Sequence, residues 1–218
     1  MTAAEAAAFA ERARAFAAEN SDLEIIELVF PDMNGVMRGK WLPAPHIGKL
    51  AEGTVRMPMS SYNLDIASED VAEARIAVDI GDPDGVGWPI HNALGRALWT
   101  DRPTGVALMT MTNPDGSPCL YDPRQALTRV VERVAEHGLR AVVAPELEFY
   151  LVDAETNEAG HAMPPRGMGG DRLDANQVYL LDVKYAFAGV LAEVDAAAKA
   201  LGAPADAATA EFGPGQFE

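Results

Sequence analysis

The chain has 218 residues, of which 49% are hydrophobic, and a formal net charge of −16 at pH 7. This length suits one large domain or two small ones, and the apolar fraction is ample for a core. The acidic balance argues against nucleic acid or an anionic membrane as a partner, because a protein that binds a phosphate backbone needs the opposite sign. The single cysteine, Cys119, leaves no disulfide framework and indicates a reducing compartment. The sequence contains neither an apolar stretch of transmembrane length nor a signal peptide, so we expect a cytoplasmic protein.

The first half of the chain predicts a helix followed by short strands. Residues 3–19 are alanine-rich and follow Thr2, a good N-cap, which favours an amphipathic helix. Residues 23–30 and 36–42 predict a hairpin around Asn34-Gly35. Short strands with one or two helices are typical of a small α+β domain. The other elements expected here are a short helix at 43–53, strands at 54–57 and 74–80, and a turn-rich stretch at 81–87.

From residue 105 the pattern becomes that of a layered α/β unit. Asp122 and Pro123 are suited to the N-cap and first position of a helix that ends before Gly138, with Leu127, Val130, Val131 and Val134 facing inward. The apolar run 141–144 predicts a buried strand. The remaining expected elements are strands at 106–111 and 207–210, a turn at 113–116, a long polar loop at 153–176 and a helix at 184–201.

Acidic residues gather at two points of this second region. Glu146 and Glu148 follow the apolar run, and alternation along a strand places them with Tyr150 on one face. Glu211 and Glu218 flank a Gly213-Pro214-Gly215 turn, although such a turn also serves as a plain connector. Adjacent carboxylates that lose hydration remain ionised most easily beside a cation. Oxygen ligands favour Mg²⁺ or Mn²⁺ over zinc, so convergence of the two strands predicts a divalent metal site.

These two stretches resemble the metal-carboxylate motifs of the glutamine synthetase family. Residues 146–151 (Glu-Leu-Glu-Phe-Tyr-Leu) are similar to the first motif and residues 211–218 (Glu-Phe-Gly-Pro-Gly-Gln-Phe-Glu) to the second. Residues 24–40 are similar to the family's N-terminal domain, and residues 121–124 (Tyr-Asp-Pro-Arg) to the entry of its catalytic domain.

The resemblance implies an α+β chain in three parts. These are an N-terminal helix at 1–20, a β-grasp domain at 21–104, and at 105–218 the truncated first half of a glutamine synthetase-type α/β catalytic domain. The family's catalytic domain continues far beyond a position such as Glu218. We therefore expect a fragment of a longer protein or a truncated product that is inactive alone.

The activity implied by the resemblance is ATP-dependent joining of an amine to the γ-carboxylate of glutamate through an acyl phosphate. Mg²⁺ or Mn²⁺ neutralises the phosphoryl oxygens in such a transfer. Carried over by position, Glu148, Glu211 and Glu218 are implied as ligands of one ion, and Glu146 contributes to a second. The implied partners are glutamate, ATP, an amine or ammonia, and further copies of the chain in a ring.

One departure from the family pattern bears on the amine. Ammonia-using members carry an Asp-Gly-Ser-Ser segment, whereas the matching stretch here is Met57-Pro58-Met59-Ser60-Ser61. Loss of the aspartate weakens attraction for ammonium, and the methionines would line a roomier pocket, with Asp65 as a substitute charge. This pattern is similar to the γ-glutamylpolyamine synthetase branch, although the methionines are equally suited to an ordinary core.

Three alternatives to an amine ligase stay open at this point. One is an ammonia-using glutamine synthetase, the second is a truncated non-catalytic member that docks onto full-length partners, and the third is an unrelated metal-binding α/β domain.

Overall fold

The structure is a computed structural model that describes residues 2–76, 78–203 and 207–218. The chain divides into two compact units. The first comprises Met1–Ala141 with Ala200–Gly202, and the second comprises Val142–Lys199 with Ala203–Glu218.

The first unit is built on a five-stranded sheet in the order β2-β1-β5-β4-β3. Strands β1 and β5 are parallel neighbours, and the other neighbouring pairs are antiparallel. Parallel neighbours need a long crossover, and here the whole segment between β1 and β5 supplies it. The strands are β1 (Ile25–Pro31), β2 (Met37–Pro43), β3 (Arg56–Pro58), β4 (Asp84–Arg96) and β5 (Thr104–Thr112).

Helix α1 (Ala3–Glu19) begins as the sequence predicts. The Thr2 hydroxyl accepts a hydrogen bond from the Glu5 N–H at 3.2 Å, and the Glu5 carboxylate accepts one from the Thr2 N–H at 2.7 Å. This reciprocal capping satisfies backbone donors that a helix end leaves unpaired. Phe9 and Ala13 are its buried residues, and they join the core formed by the inner sides of β1 and β5.

The predicted hairpin around Asn34-Gly35 is confirmed, and a buried ion pair fixes it. The Asp32 carboxylate accepts hydrogen bonds from the N–H groups of Asn34 and Val36 and from the Arg38 guanidinium, at 2.8, 3.0 and 2.9 Å respectively. Asp32 is only 1% exposed. Burial by itself would raise the pKa of Asp32, but these donors outweigh burial and hold the pKa below its ordinary value.

Three expectations for the first unit need correction. The predicted strand at 74–80 is wrong, because residues Ala72–Ala74 and Val78–Ile80 form 3₁₀ turns and Ala77 lies outside the described residues. The prediction of turns at 81–87 is wrong from Asp84 onward. Strand β4 begins there and pairs with β3, despite the glycines and prolines of this segment. The predicted boundary at residue 104 must move beyond β5, because β5 lies between β1 and β4 in the sheet.

Helix α2 (Pro123–Glu136) is confirmed, but its apolar face is exposed. Asp122 caps the helix by accepting the Arg124 N–H at 2.8 Å. Leu127, Val130 and Val131 are 46–61% exposed, so the predicted burial of this face is not seen. Periodicity identifies an apolar face but not the neighbour that covers it.

The second unit contains a short strand pair and two helices. Strands β6 (Phe149–Tyr150) and β7 (Gln216–Phe217) are antiparallel. The predicted helix at 184–201 is divided at Phe187 into α3 (Leu181–Ala186) and α4 (Ala188–Ala200). The predicted long loop is confirmed, because residues 153–176 contain only isolated bridges and turns in the described chain.

Two predicted strands of the second unit are reduced or missing. Residues 141–144 are exposed and form no strand, which contradicts the expected buried strand. A strand buried on both faces needs pairing partners and covering layers, and within the described residues these four have none. The predicted strand at 207–210 is reduced to a bridge between Ala210 and Phe217.

None of the helices in the described ranges has the length and apolar character needed to cross a membrane.

Candidate functional site

Residues 216–218 form the middle of the strand arrangement in the second unit. On one side, Tyr150 is paired with Gln216 and Phe149 with Phe217. On the other side, the Glu218 and Thr209 N–H groups donate to each other's carbonyls, both at 3.0 Å, and the Glu211 N–H donates to the Gln216 carbonyl at 2.9 Å. The segments that carry the two predicted carboxylate motifs therefore lie side by side.

The inner face of this arrangement is aromatic and buried. Phe217 is fully buried, and its ring lies 6.0 Å from that of Phe149 and 5.5 Å from that of Phe187. Because side chains alternate along a strand, packing of the half-buried Phe149 against the buried Phe217 sends their neighbours to the opposite face. Those neighbours are Glu148, Tyr150, Gln216 and Glu218, joined from the adjacent segment by Glu211.

Contacts between side chains confirm that this opposite face is shared. The Gln216 Nε2 donates to Glu148 Oε2 at 2.6 Å, and the Tyr150 hydroxyl donates to Gln216 Oε1 at 2.9 Å. Glu146 lies before β6 in an exposed, irregular segment, so its position does not follow from strand alternation.

The electrostatic environment of Glu218 includes the other three predicted carboxylates. The pKa of Glu218 is raised, first by partial burial, then by the negative charges of Glu146 and Glu211, by a hydrogen bond with Glu211 and by the charge of Glu148. Each of these causes disfavours the ionised form of Glu218. Negative potential is thus concentrated at Glu218, and a cation placed there would relieve it.

The Gly213-Pro214-Gly215 turn is more than a connector, because its glycines allow a close approach. Gly215 has φ +82°, and a Cβ on it would lie 2.6 Å from the Leu151 carbonyl oxygen. A Cβ on Gly213 would lie 2.7 Å from the Tyr150 hydroxyl oxygen. At Gly215, only glycine permits both the left-handed backbone and this close approach to the backbone of the β6 segment.

Gln177 braces the same turn and was missed by the sequence prediction. Its side chain is 2% exposed, with Oε1 accepting the Gly215 N–H at 3.0 Å and Nε2 donating to the Gln216 carbonyl at 2.6 Å. A glutamine directly after a polar loop carries no sequence signal for this role. Gln216 was also missed, although alternation from Glu218 would have placed it on the carboxylate face.

The donor set suits a hard divalent cation. Carboxylate oxygens are ligands typical of Mg²⁺ and Mn²⁺ sites, and the charge on Glu218 is destabilised by its acidic neighbours. Within the described residues, however, no three His, Cys, Asp or Glu side chains are arranged to enclose a metal ion. The four glutamates therefore share one region, and their role as ligands stays a prediction.

Comparison with known proteins finds a family match for the second half of the chain. Residues 120–218 match the family model described as glutamine synthetase, catalytic domain. The chain is therefore similar to the glutamine synthetase family over this region. The matched residues include both carboxylate segments, which agrees with the resemblance seen in the sequence.

The similar curated proteins include two synthetases that are named for γ-glutamyl compounds. The chain is 35% identical over 212 residues to gamma-glutamylputrescine synthetase of Escherichia coli (strain K12), covering 97% of this chain and 45% of that protein. It is 31% identical over 204 residues to gamma-glutamylethanolamide synthetase of Streptomyces coelicolor, covering 90% of this chain and 42% of that protein. The chain spans less than half the length of these relatives.

Solved structures agree on the fold. A complex of GmaS with ADP aligns with a TM-score of 0.66 at 23% identity, covering 96% of this chain and 43% of that one. This similarity supports a glutamine synthetase-like, mixed α/β architecture.

The residues predicted for an amine pocket lie in the first unit of the chain. Met59 is 3% exposed and belongs to the core, and Met57 packs against that core from a half-buried position. The Ser60 hydroxyl donates to Asp82 at 2.9 Å, and the buried Ser61 hydroxyl donates to the Pro58 carbonyl. The Asp65 carboxylate accepts the Ala67 and Glu69 N–H groups at 2.8 and 2.9 Å.

These contacts favour structural roles for much of the predicted amine pocket. Met59 fills the core, the polar groups of Ser61 and Asp65 are engaged in local turns, and the Ser60 hydroxyl is engaged by Asp82. No finding tests the pocket directly, so it stays a prediction.

Proposed function

We propose that this chain supplies the carboxylate face of a divalent-metal site in an ATP-dependent ligase that joins an amine to the γ-carboxylate of glutamate. The observation that carries the proposal is the placement of Glu148, Glu211 and Glu218 on one face of the β6–β7 arrangement, where acidic neighbours raise the pKa of Glu218. A mutually repelling carboxylate cluster is arranged to hold a cation and is poorly arranged to hold an anion.

Phosphoryl transfer from ATP to the glutamate γ-carboxylate brings several negatively charged oxygens together. A bound Mg²⁺ or Mn²⁺ supplies positive charge opposite those oxygens. The part of this chain is to hold that charge with Glu148, Glu211 and Glu218, with Glu146 contributing to a second ion. Fixed ligands stabilise the transferring group because they need little reorganisation during the reaction.

Two observations support an organic amine as the co-substrate. The two relatives reported above are named as synthetases of γ-glutamylputrescine and of γ-glutamylethanolamide, in which a glutamyl group is joined to an organic amine. In addition, Pro58 stands where ammonia-using members carry an aspartate. An ammonium ion would lack that carboxylate here, whereas an organic amine adds apolar contacts.

The remaining features of the proposal concern the whole protein. We infer that the five-stranded sheet of the first unit is the family's β-grasp domain, with its parallel β1–β5 pair at the centre. We also infer a cytoplasmic protein that assembles with further copies in a ring. Glutamate, ATP and an amine are its proposed small-molecule partners.

The test is phosphate release from ATP in the presence of glutamate and either putrescine, ethanolamine or ammonium. It is measured for this chain and for the longest product of its reading frame. We expect the full product of the gene to be active with an organic amine and Glu218→Gln to abolish that activity. Activity with ammonium alone rejects the amine branch, and full activity of Glu218→Gln rejects the proposed metal role.

A further inference from the structure

The side-chain amide of Gln216 has partners on both of its ends. Oε1 accepts hydrogen bonds from the Tyr150 hydroxyl and the Gly213 N–H, both at 2.9 Å. Nε2 donates to Glu148 Oε2 at 2.6 Å. A flipped amide would place its NH₂ group against the Gly213 N–H donor and its oxygen against a carboxylate, so these partners determine its orientation.

The backbone of Gln216 is held as firmly as its side chain. Its N–H donates to the Gly213 carbonyl at 3.0 Å, which closes the turn. Its carbonyl accepts from the Glu211 N–H at 2.9 Å and from the buried Gln177 amide at 2.6 Å. The donor that meets Glu148 is therefore mounted on a fixed segment.

A donor on a fixed segment restricts the carboxylate that it binds. Hydrogen bonds to an ionised oxygen are shorter and stronger than neutral ones, and 2.6 Å lies at the short end of the range. Glu148 itself is exposed, so packing does little to hold its side chain in one rotamer. The Gln216 bond is the contact in the described residues that ties Glu148 to the strand carrying Glu218.

We propose that Gln216 is a positioning residue that orients the Glu148 carboxylate toward Glu211 and Glu218 and thereby sets the affinity of this face for a divalent cation. This inference rests on the proposed metal role of the face. Partners that orient a metal ligand typically change affinity by about 10–100-fold when they are removed.

The first test measures Mn²⁺ binding to the full chain by electron paramagnetic resonance and by calorimetry. Gln216→Met keeps the length of the side chain and removes its donor, and we expect the Mn²⁺ dissociation constant to rise about tenfold or more. Gln125→Met is the matched control, because it makes the same substitution in helix α2 of the first unit, where the Gln125 amide donates to the Thr110 hydroxyl at 3.1 Å and contacts no residue of the carboxylate face. We expect its Mn²⁺ affinity to stay within about twofold of the parent chain, since orienting partners act through the ligand that they contact.

The second test needs no metal and examines the contact itself. The Gln216 side-chain NH₂ resonances are followed by ¹⁵N-NMR in Glu148→Ala and in Glu146→Ala. We expect Glu148→Ala to shift these resonances and to speed their exchange with water, and Glu146→Ala to leave them in place. Resonances that do not respond to Glu148→Ala overturn the inference, and this holds even if Gln216→Met fails to fold.

The two tests separate this inference from the proposed function. If the parent chain binds Mn²⁺ and Gln216→Met binds it equally well, the positioning role is refuted and the metal role stands. If the parent chain binds no Mn²⁺, the metal role is refuted and the positioning role falls with it, even where the NMR contact is present.

Discussion

Replacing Gly215 with alanine tests whether the close approach of the turn to the β6 segment holds the carboxylate face together. Gly215 has φ +82°, and the added Cβ would lie 2.6 Å from both the Leu151 carbonyl oxygen and Pro165 Cδ. Neither neighbour is the free end of a flexible side chain, so the turn itself must move.

The expected loss of stability has two parts. A left-handed backbone costs a non-glycine residue about 1–2 kcal/mol. Movement of the turn also breaks two hydrogen bonds, from the Gly215 N–H to Gln177 Oε1 at 3.0 Å and from the Leu151 N–H to the Gly215 carbonyl at 2.8 Å. At about 0.5–1.5 kcal/mol for each bond, the total is about 2–5 kcal/mol.

Gly160→Ala is the matched control. Gly160 lies in the same unit with φ +80°, and no described atom lies within 4 Å of its added Cβ. Gly160→Ala should therefore lose only the stability that a left-handed backbone costs a non-glycine residue, about 1–2 kcal/mol. The difference between the two variants isolates the close approach.

Hydrogen exchange with mass spectrometry is the suitable assay, because all three tryptophans lie in the first unit and do not report on the second. Peptides covering residues 145–151 and 211–218 should exchange faster in Gly215→Ala than in the parent chain. They should change little in Gly160→Ala. Equal effects of the two variants would refute the reasoning from the turn geometry.

Three further predictions address the hairpin, the core and the carboxylate face. Burial would raise the pKa of Asp32, but the donors around it leave that pKa lowered, so its contribution to stability is present above about pH 4 and is lost as the pH falls through the lowered pKa. Asp32→Asn should therefore lower the unfolding free energy at pH 7 by about 1–3 kcal/mol, measured by denaturation followed by tryptophan fluorescence. The decrease of the unfolding free energy below pH 4 should also be smaller in this variant than in the parent chain. An equal decrease in both proteins would contradict this. Met59→Ala should cost about 2–5 kcal/mol in the same denaturation assay, and a loss well below 1 kcal/mol would argue that Met59 is not core. Glu218→Gln should weaken Mn²⁺ binding about tenfold or more by calorimetry, whereas Glu158→Gln, an equal change of charge in the exposed loop, should not.

Signals that act over a few residues predicted their structures well. Thr2 with Glu5 begins α1, Asn34-Gly35 turns the first hairpin, and Asp122 before Pro123 begins α2. Each of these features depends either on a side chain that bonds to its own segment or on a backbone angle within that segment. The local sequence contains all the partners that such a feature needs.

Predictions of burial and of strand neighbours were less successful. Residues 141–144 are apolar enough for a core strand, yet they are exposed, and the apolar face of α2 is exposed as well. Strand β5 has the pattern expected of a strand, but its place between β1 and β4 put it in a different unit from the one predicted. Burial and pairing depend on which other segment lies alongside, and periodicity within one segment does not identify that segment.

The sequence by itself determined which residues carry the acidic groups, how they alternate, and which family the two motifs resemble. Only the tertiary structure decided that Gln216 bonds to Glu148, 68 residues away along the chain. It also decided that the buried Gln177 braces the Gly213-Pro214-Gly215 turn. The physical reason is that register between β6 and β7 is set by pairing and by the packing of Phe149 against the buried Phe217. A slip of one residue would send Glu148 and Glu218 to opposite faces.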